Sequence, residues 1–272
     1  MSTLIFLNKN GKNAPFPMDD RVFLGEGLFE TLRIVHGKPC YANLHWQRLQ
    51  QAAALLGIPF DVSYELWLAT LLRCIQAVSM QHGGIKVILS GGSAPRGLTE
   101  KATESRLIFD PFHYTKKIEA LKLISAPWVR ASNNPFYQIK SINYLEAIIA
   151  RRQAEEAGGE DVLFFNEKQQ ATETSVANFF IIKNDKVFTP ELKSGILAGI
   201  IRQRLLAICK ANAIACFEEA LDKKTLMKAD AMFTCNVLQG IRAVSMLDHV
   251  PFTTNHPLMV LLGDLLARDY SF

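Results

Sequence analysis

Several short segments of the chain carry side chains capable of chemistry. Lys140 stands in Tyr137-Gln138-Ile139-Lys140-Ser141-Ile142-Asn143-Tyr144-Leu145, where a loop meets an apolar stretch. Desolvation there lowers an amine's pKa from about 10.4 and frees the neutral form for a Schiff base. The plainer alternative is a solvated lysine at a helix start, as most lysines are. Glu173 lies in Ala171-Thr172-Glu173-Thr174-Ser175-Val176-Ala177-Asn178, a carboxylate among small residues just before an apolar strand. It either holds a positive charge inside the molecule or faces water in an ordinary turn. In Thr189–Arg202 a flexible loop enters a helix behind Gly199, and free N–H groups at a helix start suit an anion. The segment has neither the Gly-Lys-Ser/Thr of a P-loop nor the G-x-G-x-x-G spacing of a dinucleotide site. Arg48, one position before an apolar helical stripe, either reaches a phosphate with its planar fork or snorkels at the surface. Arg96, in Ser90-Gly91-Gly92-Ser93-Ala94-Pro95-Arg96-Gly97, suits a carboxylate; otherwise the loop is a simple strand connection.

The elements that must position these groups follow from periodicity. Leu4 to Leu7 reads as a strand, followed by a turn at Asn8-Lys9-Asn10-Gly11 whose Asn-Gly is a hairpin signal. Phe29 to Val35 is a second strand. Asn43 is placed to cap a helix running to Leu56, with Leu49, Ala52, Ala53 and Leu56 inward and Gly57 at its stop. Ser63 caps a second helix with Leu68, Leu71, Leu72 and Ile75 on one face; strands at Ile85 to Leu89 and Arg106 to Phe109 follow. After a boundary over 110–117 come a strand at Leu121 to Ser125 and a helix over Ser141 to Ala157 with Leu145, Ile148 and Ile149 inward. Strands at Asp161 to Phe165, Asn178 to Lys183 and Lys186 to Thr189, and a helix at Ile200 to Ala211, come next. Ala215 to Phe217, a short helix near Lys223 to Lys228, Met232 to Asn236 and Ile241 to Val244 complete the pattern. Helices and strands mix without strict alternation, so the expected class is α+β in two domains, residues 1–115 and 116–272, and not a doubly wound parallel sheet.

Composition narrows the function. Of 272 residues, 30 are Lys or Arg and 26 Asp or Glu, and the net charge of +4 is too mild and too scattered for a nucleic-acid binder. With 49% apolar residues the chain can bury a core, yet no apolar run suits a membrane span, and no signal peptide is expected. The five cysteines, Cys40, Cys74, Cys209, Cys216 and Cys235, show no metal or redox spacing, which points to free thiols in a reducing cytoplasm. Six scattered histidines speak against a histidine-built metal site.

Taken in order, the motifs resemble the fold-type IV pyridoxal-phosphate enzymes over roughly residues 20 to 245. The likeness runs through Asp20 with Gly25-Glu26-Gly27-Leu28-Phe29-Glu30-Thr31-Leu32-Arg33, then His45-Trp46-Gln47-Arg48-Leu49, Lys140-Ser141-Ile142-Asn143, Glu173–Asn178, Thr189-Pro190 and Gly199-Ile200-Ile201-Arg202. These enzymes include the class-IV aminotransferases for branched-chain and D-amino acids and the 4-amino-4-deoxychorismate lyases. The resemblance implies a smaller N-terminal α/β sandwich domain carrying Arg48 and the substrate loop, and a larger, barrel-like C-terminal domain binding pyridoxal 5'-phosphate. It implies a homodimer, with the site between the domains and edged by a neighbouring subunit's loop. Lys140 would hold the cofactor as a Schiff base and move the proton, and Glu173 would pair with the pyridine nitrogen. Arg48 and the N–H groups at Gly199, Ile200 and Ile201 would grip the phosphate. Asn236 would be either a further phosphate or loop-closing contact or a strand-end turn residue. Ile201 replaces the threonine common in the aminotransferases, which loses a hydroxyl contact to phosphate and keeps the backbone one.

Within the family the likeness is nearest to the lyases, through Thr31 after the acidic position, Gly92-Ser93-Ala94-Pro95-Arg96-Gly97 and Cys235-Asn236-Val237-Leu238. The implied reaction turns 4-amino-4-deoxychorismate into 4-aminobenzoate and pyruvate, towards folate, with Lys140 or Thr31 protonating the departing fragment and Arg96 touching a carboxylate. Glu30 stands where a second threonine is expected of a lyase, which keeps an aminotransferase open as the alternative. A non-catalytic cofactor carrier is the third reading, and it needs neither Lys140 nor Glu173.

Overall fold

The computed structural model describes residues 2–6, 19–102 and 104–270, which divide into two compact units. The first comprises the described residues up to Thr115 together with Ile139–Asn143; the second comprises Lys116–Gln138 and Tyr144–Tyr270. The Asn8–Gly11 turn lies outside the described residues.

The first unit holds β1 (Ser2–Phe6), β2 (Gly27–Val35), β3 (Lys38–Pro39), α1 (Ala42–Leu56), α2 (Tyr64–Ala77), β4 (His82–Ser90) and β5 (Ser105–Phe112). Its sheet runs β1-β5-β4-β2-β3, antiparallel except that β1 lies parallel to β5. Alternation along β2 sends Leu28, Leu32 and Ile34 into a core with Leu49 and Ala53 of α1 and Trp67 and Leu71 of α2. Ser63 caps α2 by accepting the Leu66 N–H at 3.3 Å, and Gly57 ends α1 in the left-handed conformation with φ +69°. Asn43 is not the cap of α1. The cap is Tyr41, two residues earlier and itself left-handed at φ +54°, so Asn43 lies within the first turn.

The second unit holds β6 (Leu121–Arg130), α3 (Leu145–Glu156), β7 (Asp161–Asn166), β8 (Ala171–Thr174), β9 (Asn178–Lys183), β10 (Lys186–Pro190), α4 (Ile200–Ala211), β11 (Cys216–Glu219), α5 (Lys223–Leu226), β12 (Ala231–Asn236), β13 (Gly240–Leu247), β14 (Val250–Pro251) and α6 (Pro257–Asp269). The sheet order is β11-β10-β9-β12-β13-β6-β7-β8, with β14 on β13, and pairs are both parallel and antiparallel. The fold is thus α+β, two-domain and mixed-sheet. β9 is buried from Phe179 to Ile182 and packs Phe179 and Ile181 with Met232 and Val244. α6, begun by His256-Pro257, has no counterpart in the periodicity reading.

Two expectations about α3 fail together. Ser141–Asn143 is not helical, Ser141 bridges to Leu28, and the helix starts only at Leu145. Its inward face is alanine: Ala150 and Ala154 pack on Val162 and Phe164 of β7, whereas Leu145 (68% exposed), Ile148 and Ile149 face outward. Small side chains let a helix lie close on a sheet, so the larger apolar residues do not mark the buried stripe here.

Candidate functional site

The first unit builds its part of the site on β2. Glu30 shares the core-facing side with Leu28 and Leu32, an isolated carboxylate that apolar surroundings would not tolerate. α1 answers it with His45 and Arg48, three residues apart on one helix face. Arg48 donates Nε to Glu30 Oε1 at 2.8 Å and Nη2 to Oε2 at 2.6 Å, a bidentate fork, and His45 Nδ1 lies 2.6 Å from Oε2. Burial pushes the Glu30 carboxyl upward, but the Arg48 guanidinium and His45 outweigh it and hold the carboxyl at about 2. Burial, joined by the charges of Arg48 and Lys140, lowers His45 against the pull of Glu30, which favours the neutral imidazole with its Nδ1–H donating to the carboxylate. His45 Nε2 is buried with no hydrogen-bond partner among the described residues. A carboxylate lowered from 4.5 to about 2 on folding adds stability above pH 4.5 that is lost as pH falls toward 2, of order 3 kcal/mol. Denaturant titrations across that window are expected to show a falling wild-type stability and a much flatter profile for Glu30→Gln.

Lys140 belongs to the same unit. Ile139–Asn143 returns to the edge of β2, where Phe29 N donates to Lys140 O at 2.9 Å and Ile142 N to Gly27 O at 3.1 Å. Asn143 Nδ2 donates to Gly25 O at 2.8 Å, and Gly25 (φ +78°) has no room for a Cβ, which would meet Asn143 Oδ1 at 2.3 Å. So anchored, Lys140 Nζ sits 4.2 Å from the centre of the Phe29 ring, and Lys86 Nζ of β4 sits 4.8 Å from the same ring. Thr31 pairs with Lys86 across the two strands, so both point to the Phe29 side of the sheet. Burial, then the charge of Lys140, lowers the Lys86 ammonium, with Asp110 opposing. Lys86 escapes sequence reasoning because a lysine inside an alternating strand reads as a solvated outer position. Glu30 did leave a signal, a carboxylate in phase with Leu28, Leu32 and Ile34.

The second unit gathers Glu173, Asn178 and the start of α4. Glu173 Oε2 accepts from Leu197 N at 3.1 Å and from Asn178 Nδ2 at 3.2 Å, and Arg130 Nη1 stands 3.5 Å from Oε1. Arg130 is buried, bonded through Nε to Glu146 Oε2 at 3.0 Å and stacked 3.4 Å from the Phe164 ring centre. Asn178 Nδ2 also donates to Leu197 O at 3.0 Å, and a Cβ at Gly199 would meet Asn178 Oδ1 at 1.9 Å. Gly199 caps α4 without a side-chain bond, which leaves the first-turn N–H groups around Ile200 and Ile201 to an anion. Asn236 ends β12; its Oδ1 accepts from Gln239 N at 2.8 Å, and its Nδ2 lies 3.4 Å from Val176 O, just beyond Glu173. It is a turn residue and a neighbour of the Glu173 segment at once.

The sequence-predicted residues therefore fall into two groups. Lys140, Thr31 and Arg48 are in the first unit, and Glu173, Gly199, Ile200, Ile201 and Asn236 in the second. Arg96, on the exposed β4–β5 loop of the first unit, lines a cavity of about 830 Å³ with Arg21, Phe23 and Leu24. A phosphorylated pyridine aldehyde needs an amine, a carboxylate, a cation and a helix start. Glu173 supplies the carboxylate, and Gly199 enters α4 without a side-chain cap. The residue types that each unit carries suit such a group.

The chain belongs to the amino-transferase class IV family, whose model matches residues 27–247. Its backbone superimposes with a TM-score of 0.95 on a Legionella pneumophila crystal structure named "Putative 4-amino-4-deoxychorismate lyase", 47% identical, covering 98% of this chain and 99% of that one. An aminodeoxychorismate lyase of Vibrio harveyi is 27% identical over 237 residues, 84% of this chain and 86% of the relative. A D-alanine aminotransferase of Bacillus licheniformis is 26% identical over 243 residues, 85% of this chain and 82% of the relative.

Proposed function

We propose that this chain is a pyridoxal 5'-phosphate-dependent lyase that converts 4-amino-4-deoxychorismate into 4-aminobenzoate and pyruvate. The observation that carries the reading is the placing of the Lys140 amine and the Lys86 ammonium over the Phe29 ring, with Thr31 on the same face of β2. The near-complete likeness to the Legionella protein supports it. When bound, the cofactor supplies an electron sink. Lys140 would be the residue to hold it, and its amine, once free, would take the substrate's ring proton next to nitrogen. The C–O bond breaks as the ring becomes aromatic, and Lys140 or Thr31 protonates the departing enolpyruvyl carbon. Glu173 would hold the pyridine nitrogen, and Arg48 and the N–H groups at the start of α4 would be the groups to bind the phosphate. Lys86 and Arg96 each offer a cation to a substrate carboxylate. Glu30, engaged by Arg48 and His45 on the core face, is not a catalytic acid; its identity governs how Arg48 is held rather than which bond breaks.

The likeness to the D-alanine enzyme favours an aminotransferase as the second reading. Incubation of the cofactor-loaded protein with 4-amino-4-deoxychorismate separates the two. The lyase is expected to release 4-aminobenzoate with no amino acceptor present. Turnover only after addition of a 2-oxo acid would establish the aminotransferase, and no turnover with either would leave a carrier.

A homodimer is part of the proposal, supported by the exposed apolar side of α3. Sedimentation at micromolar concentration is expected to give twice the mass of the chain, and a monomer would refute it. The five cysteines are unpaired thiols, which supports a cytoplasmic location. Among the described residues no helix is long and apolar enough to cross a membrane.

A further inference from the structure

We propose that Arg21 is a positioning residue that sets where Arg96 presents its guanidinium to a substrate carboxylate; this rests on the substrate role of Arg96 proposed above. Arg21 opens the single-turn 3-10 helix Arg21–Leu24 and is buried, with 7% of its surface exposed. Its Nη1 donates to Gly97 O at 3.0 Å and its Nη2 to Leu98 O at 3.2 Å, the two carbonyls directly after Arg96. Its Nε donates to Glu26, and its own backbone N–H donates to Gly92 O at 2.9 Å. One residue thus ties both ends of the stretch that carries Arg96.

The near end of that stretch has further ties. Ser93 bridges to Asp20, and Arg106 Nη1 reaches Ser93 Oγ at 2.9 Å and Asp20 Oδ2 at 2.6 Å. The far end is held by Arg21 through the Gly97 and Leu98 carbonyls. Beyond Arg96 the chain turns at Gly97, whose φ of +139° suits glycine, and Leu98 is 84% exposed, so its side chain adds little packing. Two carbonyls and a carboxylate in different directions require a planar fork of separate N–H donors, which arginine has and lysine lacks. Glu26 offsets the charge of Arg21, so attraction of a carboxylate falls to Arg96.

The test compares Arg21→Met, Arg21→Lys and Arg96→Met in the cofactor-loaded enzyme, by steady-state kinetics and by tryptic cleavage at the Arg96–Gly97 bond. Arg96→Met is expected to raise KM at least about tenfold, as loss of a ground-state contact does. Arg21→Met is expected to raise KM about five- to tenfold with kcat within about twofold, because a misplaced side chain weakens binding without touching the reacting atoms. Cleavage after Arg96 should quicken severalfold in Arg21→Met, and Arg21→Lys should fall between it and wild type on both readouts. If Arg96→Met leaves KM unchanged, the substrate role of Arg96 fails and the proposal falls with it. If Arg96→Met raises KM while neither Arg21 variant changes KM or cleavage, the clamp alone is refuted. A loss of kcat or thermal stability at constant KM would make Arg21 merely structural. Should Arg21→Met not fold, Arg21→Lys decides by the same two readouts.

Discussion

Lys140→Ala is expected to lower turnover at least about 10⁴-fold, because one side chain serves both as the covalent partner of the cofactor and as the proton carrier. The variant should retain its fold. The segment 139–143 is tied to β2 through backbone groups, Phe29 N to Lys140 O and Ile142 N to Gly27 O, which survive truncation of the side chain. Borohydride treatment of the wild type should leave the cofactor permanently attached, and in Lys140→Ala it should leave none. Removing the ammonium also relieves Lys86, whose pKa should rise once its neighbour's charge is gone. Lys140→Arg keeps a charge over the Phe29 ring but not an amine that can lose its proton near neutrality, so it should be as inactive as the alanine variant. Turnover within about tenfold of wild type in either variant would remove Lys140 from the chemistry.

How far the sequence reveals this arrangement depends on the range of the interactions. Gly57, Ser63 and Gly199 mark helix ends through local backbone chemistry, and they stand where their types predict. The motifs around Arg48, Lys140 and Glu173 are legible for the same reason, since each is short and ordered along the chain. What lies between them is not. The return of Ile139–Asn143 to β2 is a pairing across more than a hundred residues, and a helical reading of Ser141 onward is locally reasonable until that edge is known. The α3 face departs from its apolar periodicity because β7 accepts alanines and leaves Leu145, Ile148 and Ile149 outside. Glu30 is the instructive middle case. Its phase with Leu28 and Leu32 betrays a buried charge, but only the packing of α1 on β2 shows that His45 and Arg48 are its partners.

The other large effect is expected at the carboxylate of the second unit. Glu173→Gln should lower turnover about 10²- to 10³-fold while cofactor binding stays within a few-fold of wild type. The reasoning is electrostatic. A carboxylate keeps a facing ring nitrogen protonated and therefore electron-accepting, and an amide of equal shape cannot. The site is built to hold a charge there: Arg130, the Asn178 amide and the Leu197 N–H all direct positive ends at the two oxygens, and Arg130 is itself held by Glu146. Glutamine would leave the Arg130 guanidinium buried with one counter-charge fewer, so a modest loss of stability should accompany the loss of rate. Phosphate grip, by contrast, is assigned to Arg48 and the α4 N-terminus, which the substitution leaves in place. The measurement is thus a split between two numbers, a cofactor dissociation constant near wild type and a kcat reduced by two orders of magnitude or more. Equal damage to both would mean that Glu173 serves mainly to seat the cofactor, and a near-normal kcat would dismiss it from the reaction.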